Sequence, residues 1–171
     1  RLGNIIAALK ANPIDNGNTH FLPSNLEVTN ITSSEAAQNV IPEMASLRMS
    51  IRYNTEQTDQ TIEKWIRGIC DQYAPDMYTL TPRLSGEPFL TAPGPLSEMA
   101  VKAIEKVTGH TPDLSTTGGT SDARFIKDIC PVIEFGTTNF RAHHIDERVK
   151  LQDLQTLSAC YEEMLEEFFA G

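Results

Sequence analysis

The sequence has no long apolar run and few basic residues. No apolar stretch approaches the about 20 residues that a membrane-spanning helix requires. Lys and Arg number 14 against 23 Asp and Glu, which gives a net charge of −9. Nucleic-acid binding needs a basic face that neutralises phosphates. We therefore predict a globular protein whose partners include neither a membrane nor a nucleic acid.

Cysteine is scarce too. The three cysteines, Cys70, Cys130 and Cys160, lie far apart and form no CxxC pair. An odd number without a disulfide framework is typical of a reducing compartment, so we expect a cytoplasmic protein. No His–Asn context accompanies any of them, and we interpret each as a small buried hydrophobic side chain rather than a catalytic thiol.

Common metal and phosphate motifs are also absent. There is no HExxH, and no Lys follows Gly119 as a P-loop would require. Two of the four histidines, His143 and His144, stand side by side and are followed by Asp146 and Glu147. This mixture fits a metal site, an acid–base pair or a solvated loop. Neighbouring side chains of an extended segment point to opposite faces, so one imidazole can enter a site while the other faces away.

The first half of the chain predicts a helix, two strands, a helix and a third strand, over residues 2–9, 26–31, 45–53, 55–73 and 77–84. Thr55 or Thr58 is a candidate cap for the second helix. This order fits a two-layer α+β sandwich with an antiparallel sheet, which would be a complete split βαβ unit if one strand preceded Arg1. Arg1 lies inside the helical pattern with no cap before it, so we expect the chain to be a fragment.

The second half has a different organisation. Residues 86–95 hold three prolines and two glycines and are interpreted as a crossing between two domains. Helices over 96–107, 121–127 and 151–169 alternate with a strand ending near Ser115 and a strand over 130–135, which indicates α/β organisation with a mostly parallel sheet. Two strands cannot form a stable, doubly covered sheet alone, so this half is also expected to be incomplete.

The strongest local motif is STTGGTSDARF, residues 115–125. It is predicted to follow a strand and open a helix, where free backbone N–H groups and hydroxyls bind carboxylate or phosphate. A Gly turn with a Thr or Ser N-cap explains the same residues equally well. Asp122 is either a catalytic acid or a first-turn charge facing the helix dipole.

A second candidate anion-binding group is Arg52. Strand alternation places it on the polar face of a half-buried strand, where the planar guanidinium can hold a carboxylate through two hydrogen bonds. The alternative is an exposed arginine with no special role, of which Arg48 on the same face would be another example. Gln38 and Asn39 are likewise either site amides or ordinary loop amides.

Five segments taken together resemble a known family: Asn-Val-Ile-Pro at 39–42, the alternating strand that ends at Arg52, GEPFLT at 86–91, STTGGTSDARFI at 115–126, and N-x-x-x-H-x-I-D-E at 139–147. In order and spacing they are similar to the succinyl-diaminopimelate desuccinylase family, within the zinc aminoacylase and dimetallic exopeptidase superfamily. The resemblance covers essentially the whole chain. STTGGTSDARF is its most specific part, whereas the looser features are shared with acetylornithine deacetylase and its relatives.

The resemblance implies a two-domain arrangement. Residues 1–85 correspond to a ferredoxin-like lid, or dimerisation domain, less its first strand, and residues 86–171 to the last part of an α/β zinc-exopeptidase-type catalytic domain. The family's other metal ligands and its general-base glutamate would lie upstream of this chain. No catalytic residue is therefore expected within it.

The resemblance also assigns binding roles. His143 falls on a metal-binding histidine of a two-zinc (or cobalt) site, and His144 is incidental. Arg52, Gly119, Thr120 and Asn139 match residues that hold the succinyl carboxylate. Asn39, together with Gln38, matches amides that the partner subunit's lid brings to the site.

The implied activity belongs to the full-length parent. It is the metal-dependent cleavage of N-succinyl-LL-2,6-diaminopimelate to succinate and LL-2,6-diaminopimelate in lysine and diaminopimelate biosynthesis, by a cytoplasmic homodimer. The chain alone, with one metal ligand, is expected to be metal-free and inactive. A related acetylornithine deacetylase or aminoacylase-type deacylase, and a stand-alone dimerisation module, are the alternatives.

Overall fold

The computed structural model describes residues 1–34, 37–119, 121–138 and 141–170. The described elements are α1 (Leu2–Ala11), β1 (Asn25–Ser33), β2 (Ala45–Arg52), α2 (Asp59–Tyr73), α3 (Pro95–Thr108), α4 (Ala123–Ile126) and α5 (Leu151–Ala170). The chain divides into two units, Arg1–Pro88 and Phe89–Gly171. The predicted mixture of helices with an antiparallel sheet is confirmed. No helix in the described ranges combines the length and apolar character needed to cross a membrane.

A β-bulge in β1 sets the register of the two-stranded sheet. Before the bulge, Leu26 and Val28 lie opposite Ile51 and Met49, and after it Ile31 lies opposite Leu47. The sequence slips by one residue at this point, because apolar positions 26 and 28 are followed by 31 rather than 30. One extra residue on the bulged strand absorbs the slip and keeps the apolar side chains on one face.

The apolar face of this sheet packs against α1 and α2. Ile5 and Leu9 of α1, Leu26 of β1, and Ile62 and Ile66 of α2 are buried in one cluster. The i, i+3, i+4 spacing of the apolar residues in each helix directs them to the same face, as predicted. Burial of such aliphatic side chains, each contributing about 1.5–3 kcal/mol, stabilises this unit.

The start of α2 is capped by Thr58 rather than Thr55. The Thr58 Oγ1 accepts a hydrogen bond from the Thr61 backbone N–H at 3.2 Å, and Thr61 Oγ1 accepts one from the Thr58 N–H at 2.9 Å. Two N–H groups that the first turn cannot satisfy internally are thereby paired. The helix begins at Asp59 for this reason.

The third strand predicted for the first unit, over 77–84, is wrong. The structure assigns these residues neither to a helix nor to a strand. Tyr78 and Leu80 pack against the core cluster, and the Tyr78 hydroxyl donates to Asp71 Oδ1 at 2.7 Å. Tyr78 and Leu80 are half-buried, but a strand also needs a backbone partner, and Pro82 has no N–H to donate.

The second unit is built on the packing of α3 against α5. Ala100, Ala103 and Ile104 of α3 are buried with Cys160 and Met164 of α5. Pro95 occupies the first turn of α3, where its missing N–H costs nothing. Gly109 ends the helix in the left-handed conformation, with φ of 73°, and donates its N–H to Glu105 O.

The parallel sheet predicted for the second unit is absent from the residues described. Neither the segment near Ser115 nor residues 130–135 forms a strand, and the helix predicted over 121–127 is the single turn α4. Residues 130–135 are instead held by side chains, since Thr91 Oγ1 donates to Val132 O at 2.8 Å and the Tyr161 hydroxyl to Phe135 O at 2.6 Å. A short apolar run predicts burial, but a parallel ladder requires a neighbouring strand.

Replacing Thr58 by Ala should lower the free energy of unfolding of the first unit by about 1 kcal/mol, because the cap of α2 is lost. Thr58→Ser keeps the hydroxyl and is the matched control. Trp65 is the only tryptophan in the chain and packs against this core, so its fluorescence reports urea unfolding of this unit. Equal stability of the two variants would contradict the capping role.

Candidate functional site

Arg52 is the last residue of β2 and lies on the exposed face of the sheet. It is opposite Asn25, on the same face as Ser50 and Arg48. Among the described residues its guanidinium forms no ion pair or hydrogen bond, and the Glu27 carboxylate on the same face is bonded to Lys10 and Asn25. The planar fork is therefore available for an external carboxylate.

Gln38 and Asn39 occupy the corner of a turn in the loop that joins β1 to β2. The Val40 N–H donates to Ala37 O at 2.9 Å, which closes a four-residue turn with these two amides in the central positions. The Ser34 N–H donates to Met44 O at 2.8 Å and closes the base of the loop. Both amides are exposed.

The hairpin places these two groups at opposite ends. Ala45 begins β2 beside the loop, whereas Arg52 ends it. At the rise of about 3.4 Å per residue in an antiparallel strand, Ala45 and Arg52 are about 24 Å apart, and the turn that carries Asn39 lies beyond Ala45. The structure thus brings Gln38 and Asn39 together but keeps both apart from Arg52 of the same chain.

A hydrogen-bond network that we did not predict lies directly beyond Arg52. Asp15 Oδ1 accepts from the backbone N–H of Gly17 at 2.9 Å, from that of Ser24 at 2.9 Å, and from Asn54 Nδ2 at 2.7 Å. Asn54 is 2% exposed, and its backbone N–H donates to Ser24 Oγ at 3.1 Å. The Asp-x-Gly spacing is a sequence signal for the first of these bonds, since Asp commonly accepts from the N–H two residues on.

The charge of Asp15 is stabilised in the folded chain. Burial by itself raises the pKa of this carboxyl, but hydrogen bonds from Ser24, Gly17 and Asn54 outweigh it, and the pKa falls below the ordinary value of 3.8. Because the folded-state pKa is the lower one, the network stabilises the fold above a pH of about 4. That contribution is lost as the pH falls through the folded-state pKa.

The loop around Gly119 is exposed. Ser115 and Thr117 share a hydrogen bond between their hydroxyls at 3.0 Å, and Ser121 Oγ accepts from the Ala123 N–H at 3.0 Å. Asp122 stands at the N-cap of α4 but its side chain caps nothing. The residues present support a hydroxyl-rich turn rather than the opening of a long helix. Thr120 lies outside the described residues.

His143 is exposed and adopts a left-handed backbone conformation, with φ of 62°. It lies in a turn in which the His144 N–H donates to Arg141 O at 3.3 Å. A positive φ is uncommon for a residue with a side chain, although His is one of the types enriched there. Asn139, predicted to contribute to the same region, lies outside the described residues.

A metal pair does not fit the described residues by themselves. In the ranges that the structure describes, no three side chains of His, Cys, Asp or Glu are grouped so that they could hold a metal ion. His143 can supply one imidazole nitrogen, whereas a catalytic zinc takes three protein ligands.

Comparison with known proteins decides the family. The model of peptidase family M20/M25/M40 matches residues 4–167, nearly the whole chain. The chain belongs to this family. The resemblance that the five sequence segments indicated is thereby confirmed at the level of the peptidase family.

Three curated relatives that are similar to this chain share one name. A succinyl-diaminopimelate desuccinylase of Caulobacter vibrioides is 44% identical over 173 residues, covering 99% of this chain and 45% of that protein. One of Rhodospirillum centenum is 44% identical over 171 residues, covering 100% of this chain and 44% of that protein. One of Rhizorhabdus wittichii is 46% identical over 158 residues, covering 92% of this chain and 42% of that protein. The chain spans less than half the length of these relatives.

The cysteines of this M20/M25/M40 chain differ in exposure. Cys70 and Cys160 are buried as predicted, but Cys130 is exposed, and the expectation that all three are buried is wrong. Cys130 follows the turn after α4, in a segment without a sheet to cover it. Burial raises the pKa of the Cys70 and Cys160 thiols, and the charge of Asp71 raises that of Cys70 further.

Only Cys130 should react rapidly with a thiol-specific aromatic disulfide at neutral pH, because the other two thiols are buried and less ionised. Absorbance should report one fast equivalent in the native chain and three after denaturation. Cys130→Ser should abolish the fast phase, whereas Cys70→Ser should leave it intact. A native chain with three fast thiols would contradict the packing of α2 and α5.

Proposed function

We propose that this chain is part of a metal-dependent amidohydrolase that cleaves N-succinyl-LL-2,6-diaminopimelate to succinate and LL-2,6-diaminopimelate. The observation that carries the proposal is the identity of 42–46% to relatives named succinyl-diaminopimelate desuccinylase, over 92–100% of this chain. The full-length parent would act in the cytoplasm, in lysine and diaminopimelate biosynthesis. This chain supplies substrate-binding groups and one metal ligand.

The two units have different roles in this proposal. The first, up to about residue 85, is the lid or dimerisation domain, a ferredoxin-like sandwich that lacks its first strand. The second is the C-terminal part of the catalytic domain. The two-stranded sheet covered by α1 and α2 supports the first assignment, since it is one helical layer on one sheet layer.

Substrate binding centres on the succinyl carboxylate. Arg52 holds it through two parallel hydrogen bonds, with Gly119, Thr120 and Asn139 as further donors. The exposed, unpaired guanidinium of Arg52 supports this role, because no described carboxylate competes for it. Holding the free end of the substrate in this way orients the amide for attack.

His143 contributes one bond to the metal site. When two zinc or cobalt ions are bound in the full-length enzyme, they lower the pKa of a water molecule and polarise the amide carbonyl. The remaining ligands and the general-base glutamate belong to the part of the parent outside this chain. The chain alone is therefore expected to hold no metal pair and to be inactive.

Metal content and desuccinylase activity of this chain, measured beside the full-length parent, test the proposal. The parent should contain two equivalents of metal and turn over the succinyl substrate, and the chain should do neither. His143→Ala in the parent should lower metal content and reduce activity by at least 100-fold, whereas His144→Ala should change neither. Turnover by the short chain, or a preference of the parent for N-acetyl substrates, would overturn the assignment.

The parent acts as a homodimer in this proposal, with Gln38 and Asn39 reaching the partner's active site. The hairpin geometry supports it, because Asn39 and Arg52 of one chain stand more than the length of β2 apart. Two copies allow Arg52 of one subunit and Asn39 of the other to meet at one small substrate. A two-fold arrangement would create two such sites.

Mixed dimers distinguish this arrangement from one in which both groups act in the same subunit. Arg52→Gln and Asn39→Ala parents should each be nearly inactive, but dimers re-formed from an equal mixture should regain about a quarter of the wild-type activity. Half of the random dimers are hybrids, and each hybrid has one site with both groups intact. Absence of recovery, with hybrid formation verified by mass spectrometry, would contradict sharing between subunits.

A further inference from the structure

The network around Asp15 joins two segments that are distant in sequence. Asp15 belongs to the loop between α1 and β1, and Asn54 follows β2. The side-chain amide of Asn54 donates one N–H to Asp15 Oδ1 and also donates to Leu22 O at 3.1 Å. Its Oδ1 accepts from the Glu56 N–H at 2.9 Å. Asn54 is thus hydrogen-bonded through both ends of its side chain, inside the protein.

The network begins where the β-ladder ends. Asn25 and Arg52 form the terminal pair of the sheet. Ser24 precedes Asn25, and Asn54 follows Arg52 by two residues; both are bonded to Asp15 Oδ1. A strand end without such contacts frays, since its last pair has neighbours on one side only. Asp15 therefore holds both strands together at the end that presents Arg52.

A second side chain of the same loop strengthens the attachment. Asn18 Nδ2 donates to Thr55 Oγ1 at 3.2 Å and to Glu56 Oε1 at 2.9 Å. Its Oδ1 accepts from the backbone N–H groups of His20 and Phe21. The loop is thus internally ordered and is tied to the residues after β2 at two points.

We propose that Asp15 and Asn54 are positioning residues for Arg52, which fix the end of β2 so that the backbone that carries the guanidinium is held in place before a carboxylate binds. The inference rests on the proposed role of Arg52 in binding the succinyl carboxylate. Neither Asp15 nor Asn54 touches the substrate. They restrict the backbone around Arg52 in the free protein, so less conformational entropy is lost when the carboxylate binds.

Substrate selectivity of the full-length parent tests the proposal. Asp15→Ala should reduce kcat/KM for the succinyl substrate by about 10-fold or more, mainly through KM, because the carboxylate partner is displaced. The N-acetyl analogue lacks the carboxylate of the succinyl group, which is the one that Arg52 is proposed to bind, and its kcat/KM should change by less than about twofold. Asp15→Asn keeps an acceptor oxygen and should give an intermediate loss on the succinyl substrate.

Thr58→Ala is the matched control. It removes a side-chain hydrogen bond from the same unit but does not contact the loop around Asp15. It should leave the ratio of succinyl to N-acetyl kcat/KM unchanged. Two outcomes would overturn the proposal: an equal loss of kcat/KM on both substrates for Asp15→Ala, or the same change in the ratio for Thr58→Ala. Either would mean that the network around Asp15 contributes only to the stability of the fold.

Amide hydrogen exchange of the 171-residue chain itself gives a readout independent of activity. In Asp15→Asn, exchange should accelerate in residues around the Asn25–Arg52 pair and stay unchanged around the Ser33–Ala45 pair at the other end of the ladder. Uniform acceleration along the ladder, or none, would contradict local positioning.

Arg52→Gln separates failure of this inference from failure of the proposed function. If Arg52→Gln leaves the ratio of succinyl to N-acetyl kcat/KM unchanged, Arg52 does not bind the carboxylate, and the binding role given to Arg52 under the proposed function fails. If Arg52→Gln lowers the ratio and Asp15→Ala does not, the carboxylate role stands and the positioning role of Asp15 is refuted.

Discussion

The one-residue bulge in β1 determines which face of the sheet each residue in the second half of that strand occupies. It lets Ile31 share a face with Val28, although the two are separated by an odd number of positions. Without it, Asn30 would take the face that carries Leu26 and Val28, and Ile31, itself 57% exposed, would move to the polar face. Arg48 and Arg52 reach the outer face through the regular alternation of β2, which contains no bulge. The bulge therefore lets the whole of β1 pair with a regular β2 that presents the candidate anion-binding group.

The long helices α1, α2, α3 and α5 were predictable from the sequence because their determinants are local. In α2 the apolar spacing of Ile62, Ile66 and Ile69 and a Thr cap all lie within one segment, and the observed helix ends at the predicted Tyr73. The absence of strands over 77–84 and 130–135 was not predictable in the same way. Their side chains are packed as the patterns indicated, but membership of a sheet depends on a second backbone segment that no local pattern identifies.

In the candidate site, too, the features set by local sequence were predictable and those set by distant residues were not. Strand alternation alone put Arg52 on the polar face, and the turn residues around Asn39 indicated an exposed loop; both were correct. The hydrogen bond between Asp15 and Asn54 spans 39 residues and had no counterpart in the sequence pattern. The conformation of His143 was equally inaccessible, because a positive φ reflects the path of the whole turn. The roles of Thr120 and Asn139 remain predictions from family resemblance.

The conformation of the loop around Asp15 depends on Gly17, a residue outside the candidate site. Its φ is 75°, and a Cβ at this position would lie 2.5 Å from Phe21 O and 2.8 Å from Leu22 C. Any side chain would therefore force apart the loop whose N–H groups surround Asp15. Under the proposed role of Arg52, selection for carboxylate recognition would extend to this glycine, because the loop that Gly17 permits holds the strand end that carries Arg52. A substitution at position 17 would then alter binding from outside the set of residues that contact the ligand.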